Sequence, residues 1–369
     1  MIRDTAYKGC KEFWLSNLIY NHITCTFKSG FSSFLKSVLG TTSALLAAFT
    51  CGCIEKDLMN DEEGGSIVVH ETGIVLKGQE VSLKNGLTDA DIFTFNADSL
   101  GHLDSYQRIS EIYDGKVLVR SKGGQKRIFV CCNIDLPEKD ILNIGNIEDL
   151  QKSFCRLEDV RRNRHPMMGM TETDTDMAAR PVVELKAMTS EVVLRSVRCD
   201  FKGTPYDNEH ITDARVYLTN VNAQSSLAGI SSMSQRFINV GRLNMEDISM
   251  FTEPEIIVQE IGAAITESAI IKDITLLCFH NFGMDEGPGT PYTRLVLEGK
   301  IQGETFYWPV AINRTGDGLG IEANTRYVFD FTIRRKGVRD PDTELYINGS
   351  ETMMEILRWK EKEEYSVSF

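Results

Sequence analysis

From Ser66 onward, apolar side chains recur at every second position. A chain written this way buries one face of an extended backbone and wets the other, so it folds into strands and sheets rather than helices. The clearest instance is TRYVFDFTIRRKG, where Tyr327, Phe329, Phe331 and Ile333 fall on one face. SIVVHETGIVL is the first candidate strand, and Phe93 and Phe95 alternate within DIFTFNAD. KVLVRS and RIFVCCNI flank Lys122-Gly123-Gly124-Gln125, a hairpin signal. Farther on come VVELKAMTSEVVLRSVRCDF, DARVYLTNVNA and KDITLLCFHNF, and then TRLVLEGKI turns through Gln302-Gly303 into ETFYWPVAI. The predicted class is all-β, with strands half-buried in a sandwich.

One short helix interrupts the alternation. Ile147, Leu150, Phe154 and Leu157 recur at helical spacing behind Asn146, a suitable cap, with Asp149 in the first turn. The basic run Arg161-Arg162-Asn163-Arg164 and Pro166 close it, and MGMTETDTDMAARP reads as a polar loop. A chain of 369 residues is long for one core. The expected division is a leader over 1–53, an N-terminal domain over 54–180 that begins with an acidic tether, and a C-terminal domain over 181–369, the break lying near Arg180-Pro181. No repeat of solenoid length is visible.

The leader carries an address. Val38 to Thr50 (VLGTTSALLAAFT) is apolar and follows Lys28 and Lys36, the order of a secretory signal. It is shorter than the roughly 20 residues that span a bilayer. It runs into Cys51-Gly52-Cys53, and a small residue before cysteine is what lipoprotein processing requires. Cys53, behind Gly52, is the predicted lipidation site, in preference to Cys51 behind Thr50; an ordinary cleaved signal is the alternative. Acyl chains contribute about 0.8 kcal/mol per buried methylene, so several chains anchor a protein stably to the outer membrane. The segment IEKDLMNDEEGG that follows suits a tether.

Composition narrows function further. A net charge of −13 repels a phosphate backbone, which excludes nucleic acid as a partner. Beyond the leader the cysteines are Cys131, Cys132, Cys155, Cys199 and Cys278, an odd set at irregular spacing that predicts buried thiols rather than a disulfide framework. At least one of the adjacent pair Cys131-Cys132 must face a core. Catalytic and metal signatures are missing: there is no His-Glu-x-x-His, no Cys-x-x-Cys and no Gly-x-Ser-x-Gly. Gly316-Asp317-Gly318-Leu319-Gly320 lacks the helix that would complete a phosphate cradle and reads as a hairpin loop. Glu172, Asp174, Asp176 and Glu184 lack the spacing of a calcium loop. No enzyme, cofactor or metal is expected. Tyr307, Trp308 and Trp359 are the candidates for a sugar-stacking platform in a glycan-binding surface lipoprotein, against core packing as the plainer reading.

Thr293 to Asp342, with TRLVLEGKIQGETFYWPVAIN and EANTRYVFDFTIRRKGVRDPD, and the terminal WKEKEEYSVSF resemble the fimbrillins of Bacteroidales. Pro166-Met167-Met168-Gly169 before VVELKAMTSEVVLRSVRCDF resembles that family's inter-domain turn. Ala323, ahead of Asn324 and Tyr327, stands where the family carries arginine.

The resemblance implies two tandem transthyretin-like β-sandwich domains and export as a lipoprotein to the outer membrane and cell surface. It further implies assembly with other fimbrial subunits into a fimbrium, with adhesion to a host or bacterial surface ligand open. In the family a surface protease removes the lipidated first strand, and a neighbour's strand fills the groove. Such processing follows arginine, but none lies between Cys53 and Arg108, so Lys77 and Lys84 are the candidate positions. If neither is cut, the subunit remains a lipid-retained anchor. Tyr365, Val367 and Phe369 alternate with serines and form the candidate donor strand, or else the last strand of their own domain. Three such side chains, at about 1.5–3 kcal/mol each, would contribute roughly 5–9 kcal/mol on burial.

Overall fold

The computed structural model describes residues 69–78, 87–112, 114–177, 180–227, 236–282, 292–314, 320–343 and, for the backbone, 351–358. All lie in the unit Cys53–Phe369, which is distinct from Met1–Gly52. Strand is the dominant secondary structure of the described residues, as the alternation requires. In chain order the strands of the first half are β1 (Val69–Gly78), β2 (Ala90–Asn96), β3 (Leu103–Ile109), β4 (Lys116–Lys122), β5 (Gln125–Cys132), β6 (Phe154–Arg156), β7 (Met167–Asp174) and β8 (Val182–Ala187). The second half contains β9 (Thr189–Cys199), β10 (Thr212–Thr219), β11 (Val221–Asn222), β12 (Gln224–Ser226), β13 (Phe237–Ile238), β14 (Val258–Glu260) and β15 (Ile270–Phe279). It continues through β16 (Asn281–Phe282), β17 (Arg294–Ile301), β18 (Glu304–Ala311), β19 (Gly320–Ile321), β20 (Thr325–Ile333) and β21 (Glu351–Arg358).

Hydrogen bonding sorts the long strands into two sets with the same plan. The first is a folded sheet in the order β3-β2-β5-β7-β8-β1-β4. The second is a pair of four-stranded sheets, β14-β10-β17-β18 and β15-β9-β20-β21. In each set a strand (β1 or β9) is antiparallel to one neighbour (β4 or β15) and parallel to the other (β8 or β20). The facing layers, β3-β2-β5-β7 and β14-β10-β17-β18, are antiparallel throughout. β21 is the one addition. Val182–Ala187, expected to follow the boundary, pairs with β1 and β7, so pairing places β8 with the strands before residue 181.

Two cores result. Ile74, Leu76, Ile92, Val119, Ile128, Val130, Cys132, Val183 and Leu185 fill the interior of the first set. The opposite faces of β2 and β5, carrying Phe93, Phe95, Phe129 and Cys131, belong to a larger core that continues through Leu150, Cys155 and Leu157 into Val192, Leu218, Leu297 and Phe329 of the second set. Both members of the adjacent cysteine pair therefore face a core, on opposite sides of one strand. The five thiols are free and buried as expected, and burial pushes those of Cys155 and Cys278 up to about 12.

Several local expectations are corrected. There are three α-helices among the described residues, not one: α1 (Glu138–Leu142), α2 (Ile147–Gln151) and α3 (Met245–Ile248). α2 is capped by Asn146, whose side chain accepts from the Asp149 amide at 3.0 Å, but it stops at Gln151. Phe154 begins β6, which pairs with β12 of the second half, and Leu157 opens a 3-10 turn. Their apolar spacing reflects a common core, not one continuous helix.

The first half of MGMTETDTDMAARP is not a loop, and the Pro166-Met167-Met168-Gly169 that leads into it is not an inter-domain turn: Met167–Asp174 is β7, paired along its length with β5. Its inward face carries Met167, Gly169 and Thr173, and β-branched threonine suits a strand although it reads as polar. Lys122–Gln125 is a turn, but β4 and β5 are not paired; it carries the chain from one layer to the other. Gln302-Gly303 is the true hairpin, with positive φ at both residues (51° and 82°) and Ile301 opposite Glu304. Tyr327, Phe329, Phe331 and Ile333 are all buried, as their spacing predicts.

Candidate strand-exchange slot

β1 is not an edge strand. Val69–Val75 pairs with β4, and Val75–Gly78 pairs with β8 in parallel. Thr72, Ile74 and Leu76 point into the first core and are at most 4% exposed. Burying Ile74 and Leu76 contributes about 3–6 kcal/mol, at about 1.5–3 kcal/mol per side chain. The outward positions are Glu71, Gly73, Val75 and Lys77, and Gly73 lies opposite Leu118. Glu71 meets Arg120 at 3.1 Å, and His70 approaches Asp176 at 3.5 Å. The Leu76 amide donates to the Gly115 carbonyl at 2.6 Å, and a Cβ on Gly115 (φ 63°) would stand 2.6 Å from the Leu76 oxygen. The turn before β4 therefore takes glycine.

The flanks of this slot are built differently. β8 meets β1 through Val182–Leu185 and crosses to the other layer at its end, where Lys186 and Ala187 pair with Met168 and Met167. That crossing is tight: a Cβ at Gly169 would lie 2.5 Å from the Glu184 oxygen and 2.8 Å from Val183 Cγ1. Among the described residues β4 has β1 as its only ladder partner. Its other edge faces β3, and side chains span that seam. Ser105 Oγ donates to the Arg120 carbonyl at 2.5 Å, Gln107 Oε1 accepts from the Arg120 amide at 2.8 Å, and Asp104 Oδ2 accepts from the Lys122 amide at 2.7 Å. Asp104 also pairs with Lys126 Nζ at 3.1 Å, with both side chains 2% exposed, and Lys126 donates to Asn96 Oδ1 at 2.6 Å.

Of the residues singled out in the sequence, only Lys77 is positioned in this slot: it lies in β1, side chain outward, opposite Glu184. Cys53, Lys84, Tyr365, Val367 and Phe369 lie outside the described residues, as do Trp359 and Gly316–Leu319. Trp308 is 4% exposed and donates Nε1–H to the Arg335 carbonyl at 3.0 Å, which removes it as a stacking platform. Glu172 pairs with Arg127 at 2.8 Å, and Asp174 accepts from Gln125 Nε2 at 2.9 Å. Among the described residues no group of three or more His, Cys, Asp or Glu side chains is placed to hold a metal ion. Sequence reasoning missed Asp104, Ser105, Gln107 and Lys126. The only signal of the first three is a run of polar side chains on β3, and Lys126 is a cation beside Arg127 at the start of β5.

No family model matches the chain, and no curated protein matches it in sequence. Solved structures do. A candidate cell adhesion protein from Bacteroides eggerthii superposes with a TM-score of 0.60 at 15% identity, covering 81% of this chain and 98% of that one. A candidate cell adhesion protein from Parabacteroides distasonis gives 0.57 at 12% identity, covering 80% and 98%. A fimbrilin from Porphyromonas gingivalis gives 0.54 at 12% identity, covering 78% and 97%. The fold is that of the fimbrillins. In this fimbrillin fold the first described strand, β1, lies between two others and fills a core, and that arrangement makes the slot the functional candidate.

Proposed function

We propose that the protein is a subunit of a cell-surface pilus, exported as a lipoprotein through Cys53 and joined to its neighbours by β-strand complementation in the slot that β1 occupies. The observation that carries this reading is the position of β1, which lies between β4 and β8 and sends Thr72, Ile74 and Leu76 into the core. A chain cut after Lys77 or Lys84 would release that strand, leaving two unpaired ladders and an open apolar groove. Both defects are repaired by an extended segment with alternating apolar side chains. β9, the counterpart of β1, is joined to the chain at both ends and cannot leave in this way.

A neighbour's Tyr365, Val367 and Phe369 supply the alternation the groove requires. Fold likeness to a fimbrilin and to candidate adhesion proteins supports a role at the cell surface with other subunits as partners. No catalysis and no cofactor enter this mechanism. Burial of Trp308 counts against glycan stacking at that residue.

The test is N-terminal sequencing of the surface form together with gel analysis. A start just beyond Lys77 or Lys84, with SDS-resistant ladders that disappear when Glu364–Phe369 is deleted, is the expected result. A blocked Cys53 with no ladders would assign the chain to the anchor role, and ladders unchanged by the deletion would remove the tail as donor.

A further inference from the structure

We infer that Asp104, Ser105 and Gln107 of β3 form a latch that holds β4 in place when β1 is absent, keeping the slot open for an incoming strand. The inference rests on the strand-complementation reading and adds the residues that make the groove persist. Among the described residues β4 pairs in a ladder with β1 alone, so the departure of β1 removes the ladder that holds it in a sheet. A strand so released would collapse onto the exposed core or present a bare edge to other chains.

Three side-chain bonds prevent this. The Arg120 carbonyl and amide and the Lys122 amide are taken by Ser105, Gln107 and Asp104, all on β3, at 2.5–2.8 Å. None of these bonds involves β1. Asp104 is itself fixed by the buried ammonium of Lys126, which Asn96 of β2 holds in turn, so the latch is anchored in the opposite layer. The latch also occupies backbone groups on the β3 side of β4. The ladder left vacant on β4 therefore faces the slot, as does the one left vacant on β8, and a partner strand has a single place to enter.

The experiment uses the full chain with one site-specific protease sequence inserted between Gly78 and Leu87, so that β1 can be severed by a single cut. A fluorescein-labelled peptide of Val69–Gly78 is then added, and its uptake is followed by anisotropy. The cut parent chain is expected to bind the peptide, and Asp104→Ala to bind it at least tenfold more weakly. Because Asp104→Ala strands a buried lysine and can fail to fold, Ser105→Ala/Gln107→Ala serves as the second variant. It changes only half-exposed side chains and is expected to retain the parent melting temperature to within a few degrees before cutting. Equal uptake by the parent and by a folded double variant overturns the latch and leaves strand complementation standing. A cut parent that remains folded yet takes up no peptide overturns both.

Discussion

Asp104 and Glu71 each face a basic partner, but water decides what each pair contributes. Asp104 and Lys126 are both 2% exposed, so removal of the carboxylate leaves an uncompensated buried ammonium, at a cost of about 3–5 kcal/mol. Glu71 and Arg120 are each 54% exposed, and screening reduces their pair to below about 1 kcal/mol. Urea unfolding of Asp104→Ala and Glu71→Gln should show this ratio, and comparable losses would contradict the burial argument.

His280 supplies a second residue-scale expectation. Burial holds its imidazole below the usual value, and its Nδ1 has no hydrogen-bond partner among the described residues. Unfolding restores a pKa of about 6.5. The unfolded chain therefore binds more protons as the pH falls below that value, and stability declines, with no effect above it. The melting temperature should fall between pH 8 and pH 5, and His280→Phe should flatten the decline. A residual slope is expected from His165, whose pKa burial also lowers, against the opposing charge of Glu191. An unchanged profile in the variant would exclude His280 as a contributor.

At the scale of elements, side-chain parity was legible from the residues, but pairing was not. Alternation located β20 and β17, and the Gln302-Gly303 turn correctly joined β17 to β18, because two residues of positive φ force adjacent strands together. The Lys122–Gln125 turn looked similar in sequence yet connects strands of different layers, since β4 gains more from its ladder with β1 and the shared core. β7 was hidden by its threonines and carboxylates. Gly169 reads in sequence as part of a turn and not as the point where β7 crosses β8, yet Gly169→Ala should separate the two strands. It is expected to destabilise the chain by about 1–3 kcal/mol, as overpacking does. A loss of protection from amide exchange at Lys186 and Ala187 would localise the effect, and normal protection there would refute it.

Over the whole molecule, one core runs from Phe93 and Phe129 through Leu150 and Leu157 into Val192 and Phe329, so the two strand sets share apolar surface. Arg162 reinforces the junction: its guanidinium donates to the Glu255 carbonyl at 3.0 Å, and its backbone amide donates to Glu253 at 2.9 Å. Arg164, two residues on, binds Asp89 and Asp135 of the first set. The basic run that reads in sequence as the end of a helix is a clasp. Calorimetry should therefore show a single cooperative transition. Two resolved peaks would mean that the halves melt independently.

The sequence by itself determined that the chain is built of strands and which faces of β20 and β17 are buried. It also determined that five cysteines stay as free thiols, because alternation and burial are properties of neighbouring residues. Only the tertiary structure decided that both sets share one pairing order, that β1 is inserted rather than added at an edge, and that β3 holds β4 through side chains. Those outcomes depend on contacts between residues far apart in the chain, such as Val75 with Val182 and Asp104 with Lys122. No local pattern encodes which distant strand completes a ladder; competition among all strands for backbone partners and buried surface settles it.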